Sequence, residues 1–336
     1  MPEARSRSIW LAVVLLALGV GLMALGASVG STGFGSVLSA AHDPVAWQIV
    51  WDIRLPRTLG AWLAGALLAL AGAVAQGLFR NPLADPFLLG SASGASLGVA
   101  VALALWGVSP ATTEWLVRAG LTGAAFGGAV AGVVLTLALA RGVQHTLRLL
   151  LAGVIVGVVL GAIKDLITLS SPDILQAMQA FMLGSTGTVG WASCGVMAAV
   201  LLPTLAGAWA LGSALDGLAL GEATARSLGL PLAPMRAALV AVLALATGTA
   251  VAQAGLIAFV GLASPHLVRS LVKAPHGRLM LLSALLGGAL LAAADVLARW
   301  VLAPQELPVG VLTAVLGGSY LLWLMHRRAG AGRGPL

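Results

Sequence analysis

Long stretches without a charged residue divide this chain. Nine can be marked off in the 336 residues, and most are close to or longer than the roughly 20 residues that a membrane-spanning helix needs. They cover residues 8–42, 58–79, 86–113, 119–140, 149–163, 174–215, 237–268, 279–294 and 307–325. Only 9% of the residues are charged, against about 25% in soluble domains. The sequence therefore predicts a chain that crosses a lipid bilayer several times.

The uncharged stretches are typical of helices rather than of barrel strands. Barrel strands alternate apolar and polar residues over about ten positions, whereas these stretches are continuously apolar and rich in Gly and Ala. The 44 glycines fit this interpretation, because helices in lipid associate by packing small residues closely. We predict an all-α polytopic membrane protein, with residues 1–336 forming a single transmembrane domain.

The basic residues predict the orientation, since cytoplasmic loops carry an excess of Lys and Arg. With the N-terminus inside, thirteen of the 18 basic residues fall on the cytoplasmic side. The remaining five are Arg54, Arg57, Arg118, Lys164 and Arg299. Stretch 237–268 is long for one helix and contains three glycines, so we interpret it as a hairpin of two short spans. About ten spans result, with both termini inside; one tilted helix there would give nine.

The net charge of +7 does not indicate a nucleic-acid-binding surface. The basic residues are scattered over the loops and follow the topological rule, so no nucleic-acid partner is expected.

Two polar segments stand apart from the apolar background. The first is Arg54-Leu-Pro-Arg57, followed by a helix and by Arg80-Asn-Pro-Leu-Ala-Asp-Pro86. Its two later prolines stop the helix and fix the loop, and Asn81 and Asp85 can satisfy the freed backbone groups. Alone, this pattern indicates only a rigid turn.

The second polar segment, residues 215–231, is predicted to be an amphipathic helix on the cytoplasmic side. Leu218, Ala225 and Leu228 fall on one helical face, and Glu222 and Arg226 form a polar edge at i and i+4. Gly229 and Pro231 then end the helix. The apolar face needs cover, which lipid headgroups or a cytoplasmic partner can supply.

The C-terminal third adds three blocks, which begin at Gly255, Ala294 and Glu306. They read GLIAFVGLASPH, ADVLAR and ELPVGVLTAVLG. With the earlier segments, and with Gly72 to Gln76, Gly90 to Gly94 and Leu149 to Gly153, they make nine blocks in order. In this order and spacing the chain closely resembles the FecCD-type permeases, the family of iron-chelate, haem and vitamin B12 importers, over residues 50–325.

Two positions depart from the family pattern. Where Gly-Ala-Pro and an aromatic residue are usual, the chain has Gly317-Gly-Ser-Tyr320. Where an Asp-His-Arg turn is common, it has Pro275-His-Gly-Arg278. The first departure affects a helix that lines the pathway in the family, and the second affects a cytoplasmic turn.

The resemblance implies the fold of a type II ABC importer permease and a set of partners. These are a second copy of the chain, two ATP-binding cassette subunits that bind ATP and Mg, a soluble substrate-binding protein and a metal-chelate substrate. It also implies a short helix outside the membrane at about residues 172–183. No cofactor or metal is expected to be bound by the chain itself, and its expected location is the bacterial inner membrane.

The resemblance also assigns candidate site residues. Arg54, Arg57 and Arg299 are expected to dock acidic residues on the two lobes of the binding protein, as a guanidinium can grip a carboxylate bidentately. A cytoplasmic gate is expected at Thr146 and Leu147. The residues expected to couple to the ATPase are Leu218, Gly221, Glu222, Ala223, Arg226, Leu228 and Gly229.

The energy source cannot lie in a P-loop of this chain. That motif needs Lys followed by Ser or Thr, but Lys164 is followed by Asp165 and Lys273 by Ala274.

An ion-coupled secondary transporter is the alternative, and its few candidate charges are Asp295, Lys164 and Asp165. The simpler interpretation of these three residues is interfacial placement or pairing.

Catalysis is not expected. The five histidines are dispersed, without the spacing of a metal or catalytic site.

For the cargo, the resemblance ranks ferric siderophore first, haem second and cobalamin third.

Overall fold

The computed structural model describes residues 2–30, 33–34, 43–106, 115–140 and 146–331, which are almost entirely helical. A hairpin of two-residue strands, Val29–Gly30 and Gly33–Phe34, follows the first helix. The helices of the first half are α1 (Pro2–Ser28), α2 (Pro44–Ile49), α3 (Leu55–Phe79), α4 (Ser91–Trp106), α5 (Trp115–Leu139), α6 (Thr146–Ser170) and α7 (Leu175–Leu183). Those of the second half are α8 (Trp191–Ala210), α9 (Gly212–Ala219), α10 (Glu222–Ser227), α11 (Leu232–Ala254), α12 (Val260–Leu271), α13 (His276–Trp300) and α14 (Val309–Ala331).

Helix α3 lies at the centre of the bundle, and all but three of its residues are buried. Glycines allow its neighbours to approach closely. Gly65 faces the backbone of Gly287 in α13, and Gly72 faces the backbone of Gly261 in α12, so a side chain at either position would clash. The role predicted for small residues is therefore confirmed at these contacts.

Seven of the described helices are long and apolar enough to cross a membrane, and α4 and the 309–323 part of α14 are shorter apolar helices. The prediction for 237–268 is only partly right. The stretch does break, at Gly255, whose φ of 71° favours glycine. However, α11 is a full-length helix of 23 residues, whereas α12 has 12 and is too short to cross alone. Helix α11 begins at Leu232, before the uncharged stretch, and is therefore longer than that stretch indicated.

The proline loop after α3 is ordered as predicted. Helix α3 ends at Phe79, and Asn81 Oδ1 then accepts a hydrogen bond from the Leu83 amide (2.9 Å). Asp85 Oδ1 accepts one from the Phe87 amide (2.8 Å) and so begins the 3₁₀ turn Pro86–Leu89. Burial raises the pKa of the Asp85 carboxyl group above its ordinary value.

The segment expected outside the membrane at about 172–183 forms a 3₁₀ turn, Pro172–Ile174, and the short helix α7. Its position relative to a membrane stays a prediction.

Helices α3 and α13 pack along each other, and each has 25 residues, which gives a length of about 37 Å. Arg57 and Arg299 lie at one end of this pair, and Gly77 and His276 lie at the other. Following the predicted orientation, we call these the outer end and the inner end. The two helices therefore connect the two regions in which the sequence places functional residues.

Candidate functional site

Four charged side chains form one cluster at the outer end: Arg57, Asp295, Arg299 and Glu306, here called the arginine cluster. Asp295 is fully buried between the two arginines. Arg57 Nε lies 3.0 Å from Asp295 Oδ1, and Arg299 Nη2 lies 2.6 Å from Asp295 Oδ2. Arg57 Nη1 also lies 2.7 Å from Glu306 Oε2, and the Glu306 side chain is about one third exposed. Two positive and two negative groups thus balance within the cluster.

The guanidinium group of Arg299 is engaged inside the chain. It donates to the carbonyl oxygens of Gly26 (3.0 Å), in the last turn of α1, and of Val29 (3.1 Å), just after α1. It also donates to Thr58 Oγ1 (2.9 Å), and the residue is 1% exposed. Arg299 therefore fastens α13 to α1 and α3.

Arg57 is buried as well, while Arg54 is half-buried. Arg54 donates to the carbonyl oxygens of Ala27 and Ser28, both at 3.3 Å. The structure thus brings the three predicted docking arginines to one end of the bundle but directs Arg57 and Arg299 inward. Direct contact of Arg57 or Arg299 with a binding protein stays a prediction, and of the three, Arg54 lies nearest the surface.

Sequence reasoning treated Asp295 only as a candidate for ion coupling or pairing. The structure pairs it with both arginines, and Thr186 Oγ1 donates to it at 2.5 Å. The other candidates, Lys164 and Asp165, pair with each other at 2.6 Å. The pairing interpretation is therefore confirmed for these three residues.

At the inner end, the segment predicted as one amphipathic helix is two helices, α9 and α10. They are separated at Gly221, whose φ of 104° is accessible mainly to glycine. The break turns the apolar side chains in different directions. Leu218 and Ala225 are buried, but Leu228 is 62% exposed, so the prediction of one shared apolar face is wrong for Leu228.

Glu222 is directed into the chain rather than away from it. Its Oε1 lies 2.5 Å from Nη2 of Arg236, a buried residue in the first turns of α11. Its Oε2 lies 3.6 Å from Nη2 of Arg226, the predicted i,i+4 partner, whose side chain is exposed. Glu222 therefore ties α10 to a long helix, and the weaker pair with Arg226 lies at the surface.

Five exposed residues of the segment form a mixed surface that is here called the coupling face: Leu220, Ala223, Arg226, Leu228 and Gly229. Leu220 is 67% exposed, and the other four are also exposed. Four of these five were among the predicted coupling residues. The other three, Leu218, Gly221 and Glu222, lie behind this face or at its edge and shape it.

The predicted gate residues lie at the start of α6. Thr146 is its first residue, and Leu147 is 71% exposed. The turn before them, residues 141–145, lies outside the described residues, so the gate stays a prediction.

Two further inner contacts were missed from the sequence. Asp216 Oδ1 lies 2.6 Å from Nδ1 of His276 at the start of α13. Gln76 Oε1 accepts from Arg269 Nη1 (2.5 Å), which ties the end of α3 to α12. Each of these residues lies in or beside a block that carries the family resemblance, but nothing in the pattern tells which residues pair.

Two transport proteins are similar in sequence to this chain over nearly its whole length. The hemin transport system permease protein HmuU of Yersinia pestis is 38% identical over 325 residues, which cover 95% of each chain. The vitamin B12 import system permease protein BtuC of Klebsiella pneumoniae is 39% identical over 334 residues, covering 99% of this chain and 97% of that protein.

Solved structures agree with this fold. A structure described as a metal-chelate type ABC transporter in an inward-facing conformation superposes with a TM-score of 0.83 at 28% identity, covering 94% of this chain and 98% of that one. The chain has the fold of type II ABC importer permeases, as predicted. The FecCD transport family matches residues 11–327. The chain therefore belongs to the FecCD transport family.

Proposed function

We propose that this chain is the membrane-spanning subunit of an ATP-driven importer for a bulky metal chelate. The observation that carries the proposal is the pair of long helices, α3 and α13, which join the arginine cluster to the inner end where the coupling face lies. An importer of this class must link a partner on one side of the membrane to an energy source on the other. Rigid helices between two partner sites are suited to that task.

The chain's own task is transport, not catalysis, because its family is a transport family. Its energy is proposed to come from two separate ATPase subunits, since neither lysine lies in a P-loop. The coupling face is the proposed contact. Its exposed leucines would be buried in a groove of the ATPase, and Arg226 would lie at the rim of the contact.

At the outer end, the proposed partner is a soluble binding protein with acidic residues on its surface. Arg54 would meet it directly, while Arg57 and Arg299 would act from below by fixing the helix ends that form the surface. This arrangement keeps the predicted docking region but assigns different tasks to its three arginines.

The pathway is proposed to run between two copies of the chain. Val315, Leu316, Leu322 and Trp323 are exposed on α14, and Leu147 and Leu151 are exposed on α6. A second copy and the lipid bilayer are the proposed cover for these faces, with the gate at Thr146 and Leu147 closing between the copies. The location that fits this multi-pass chain is the bacterial inner membrane.

The cargo is proposed to be a metal chelate of the macrocycle class. The relatives named above carry hemin or vitamin B12, and both are flat or corrin-type metal macrocycles. Haem and cobalamin therefore move ahead of the ferric siderophore that the resemblance alone ranks first.

Uptake in cells tests the cargo directly. The chain would be expressed with its binding protein and ATPase in a strain that lacks its own importers, and given labelled haem, cobalamin or a ferric siderophore. We expect accumulation of one macrocycle and little of the siderophore. Accumulation of the siderophore alone would overturn the cargo assignment but leave the importer class intact.

A further inference from the structure

The first turn of α13 is capped by a residue from another helix. Its own N-cap residue is Pro275, which makes no side-chain hydrogen bond to the helix. Instead, Asp216 Oδ1 accepts a hydrogen bond from the His276 amide at 3.1 Å and lies 2.6 Å from His276 Nδ1. A carboxylate in this position satisfies a free amide and complements the positive end of the helix dipole. The cap of α13 therefore comes from α9.

The backbones of α9 and α13 also meet at this point. A methyl group at Gly212 would lie 2.7 Å from the Gly277 amide nitrogen and 2.8 Å from its Cα. A methyl group at Gly77, at the end of α3, would lie 3.0 Å from Cδ1 of Leu215, which is buried in α9. Helix α9 is therefore in direct contact with the inner end of α13 at the point where the polar link forms.

Asp216 and Glu222 link the segment 215–231 to two different helices. Glu222 holds α11, which ends at Ala254 before the break at Gly255. Asp216 holds α13, which continues without interruption to Asp295 and Arg299 in the arginine cluster. Only the Asp216 link leads through one unbroken helix to that cluster.

We propose that Asp216 is a positioning residue for energy coupling. It joins the segment 215–231, which carries the coupling face, to α13 through His276. This rests on the proposed function, because it presupposes an ATPase at the coupling face. It also gives a task to the departure Pro275-His-Gly-Arg278, since His276 in that turn is the partner of Asp216. Movement of the coupling face is transmitted along α13 to the outer end.

The first measurement needs no partner. Hydrogen–deuterium exchange would be followed in the full chain in lipid nanodiscs. Asp216→Ala should speed exchange in the first turn of α13 about fivefold, the effect expected for the loss of a helix cap. Asp216→Asn, which keeps an acceptor oxygen, should stay near the parent, as should Asp173→Ala, which removes an exposed carboxylate elsewhere. Unchanged exchange in Asp216→Ala would show that the link is not formed.

The second measurement tests whether Asp216 connects α9 to α13 or only caps the first turn of α13. Asp216→Ala combined with His276→Asp gives α13 its own acidic first-turn residue but removes the side-chain link to α9. In the complete complex in proteoliposomes, we expect Asp216→Ala to lower the cargo transported per ATP hydrolysed several-fold. The double variant should regain slow exchange but not this ratio.

Recovery of the transport ratio together with the slow exchange would overturn the proposal, because Asp216 would then be only a cap. A normal ratio in Asp216→Ala would do the same. If the parent chain binds no ATPase at all, the proposed function fails instead, and the exchange measurement still reports whether the link exists.

Discussion

Glu222 and Arg236 form an ion pair at 2.5 Å that fastens the short helix α10 to the long helix α11. The Arg236 side chain is almost wholly buried, and the Glu222 side chain is about one quarter exposed. A buried guanidinium that loses its carboxylate leaves an uncompensated charge, which costs far more than the loss of a surface pair. Glu222 is thus important chiefly for what it holds in its own chain.

Glu222→Arg should therefore separate ATP hydrolysis from transport. The new guanidinium would face Arg236 and Arg226, which would push α10 away from α11. We expect the ATPase to remain active while transport falls at least tenfold, measured in proteoliposomes. Asp173→Arg is the matched control, since it reverses the charge of an exposed carboxylate outside the coupling face and should have little effect. Normal assembly, hydrolysis and transport in Glu222→Arg would reduce α10 to a surface element.

Reversing the charge of Arg299 should destabilise the chain rather than only weaken docking. Arg299→Glu would place a third carboxylate beside Asp295 and Glu306, with only Arg57 left to balance them. Removal of one partner from a buried pair costs about 3–5 kcal/mol. We expect a lower yield of monodisperse protein and earlier thermal unfolding in detergent, whereas Lys273→Glu, at an exposed site, should behave like the parent. Stable protein that only binds its partner less well would favour direct docking by Arg299.

Docking itself should depend most on Arg54. Arg54→Glu should weaken the binding protein's association in a salt-dependent way, because rim charges act mainly by steering. Surface plasmon resonance at low and high salt measures this. Unchanged affinity at low salt would leave Arg54 with only its contacts to the end of α1.

A polar substitution on the coupling face should weaken assembly with the ATPase. Leu228→Asn removes an exposed leucine from the proposed contact, and Leu302→Asn removes a comparably exposed one at the outer end. Co-purification should show loss of the ATPase in the first variant only. Equal retention in both would place the ATPase elsewhere.

Cysteines at the start of α6 test the gate. In a Cys194→Ala background, Thr146→Cys and Leu147→Cys should cross-link two copies of the chain in the inward-closed state. Leu169→Cys, exposed at the opposite end of α6, should not. Failure to cross-link in every nucleotide state would move the gate away from these residues.

The helical bundle and the ends of α3 could be predicted because long apolar stretches and proline turns act locally, and the family was predicted from the resemblance of nine ordered blocks. The ion pairs were not predictable in the same way. Arg57 and Asp295 are 238 positions apart, and only packing of α3 on α13 brings them together. Arg57 and Arg299 were singled out because they lie in blocks of the family resemblance on the side with few basic residues, but their burial is a tertiary property. The break between α9 and α10 was missed because the residues on both sides of Gly221 follow a helical pattern. The positive φ of that one glycine is not visible in the sequence.

The most direct test of the central claim is uptake by proteoliposomes that contain the chain, its ATPase and the cargo-loaded binding protein. With ATP supplied to the ATPase side and no ion gradient, we predict accumulation of cargo. We predict no uptake by the chain alone, even when a proton or sodium gradient is imposed. Gradient-driven uptake in the absence of any ATPase would contradict ATP-driven import and identify the chain as an ion-coupled secondary transporter.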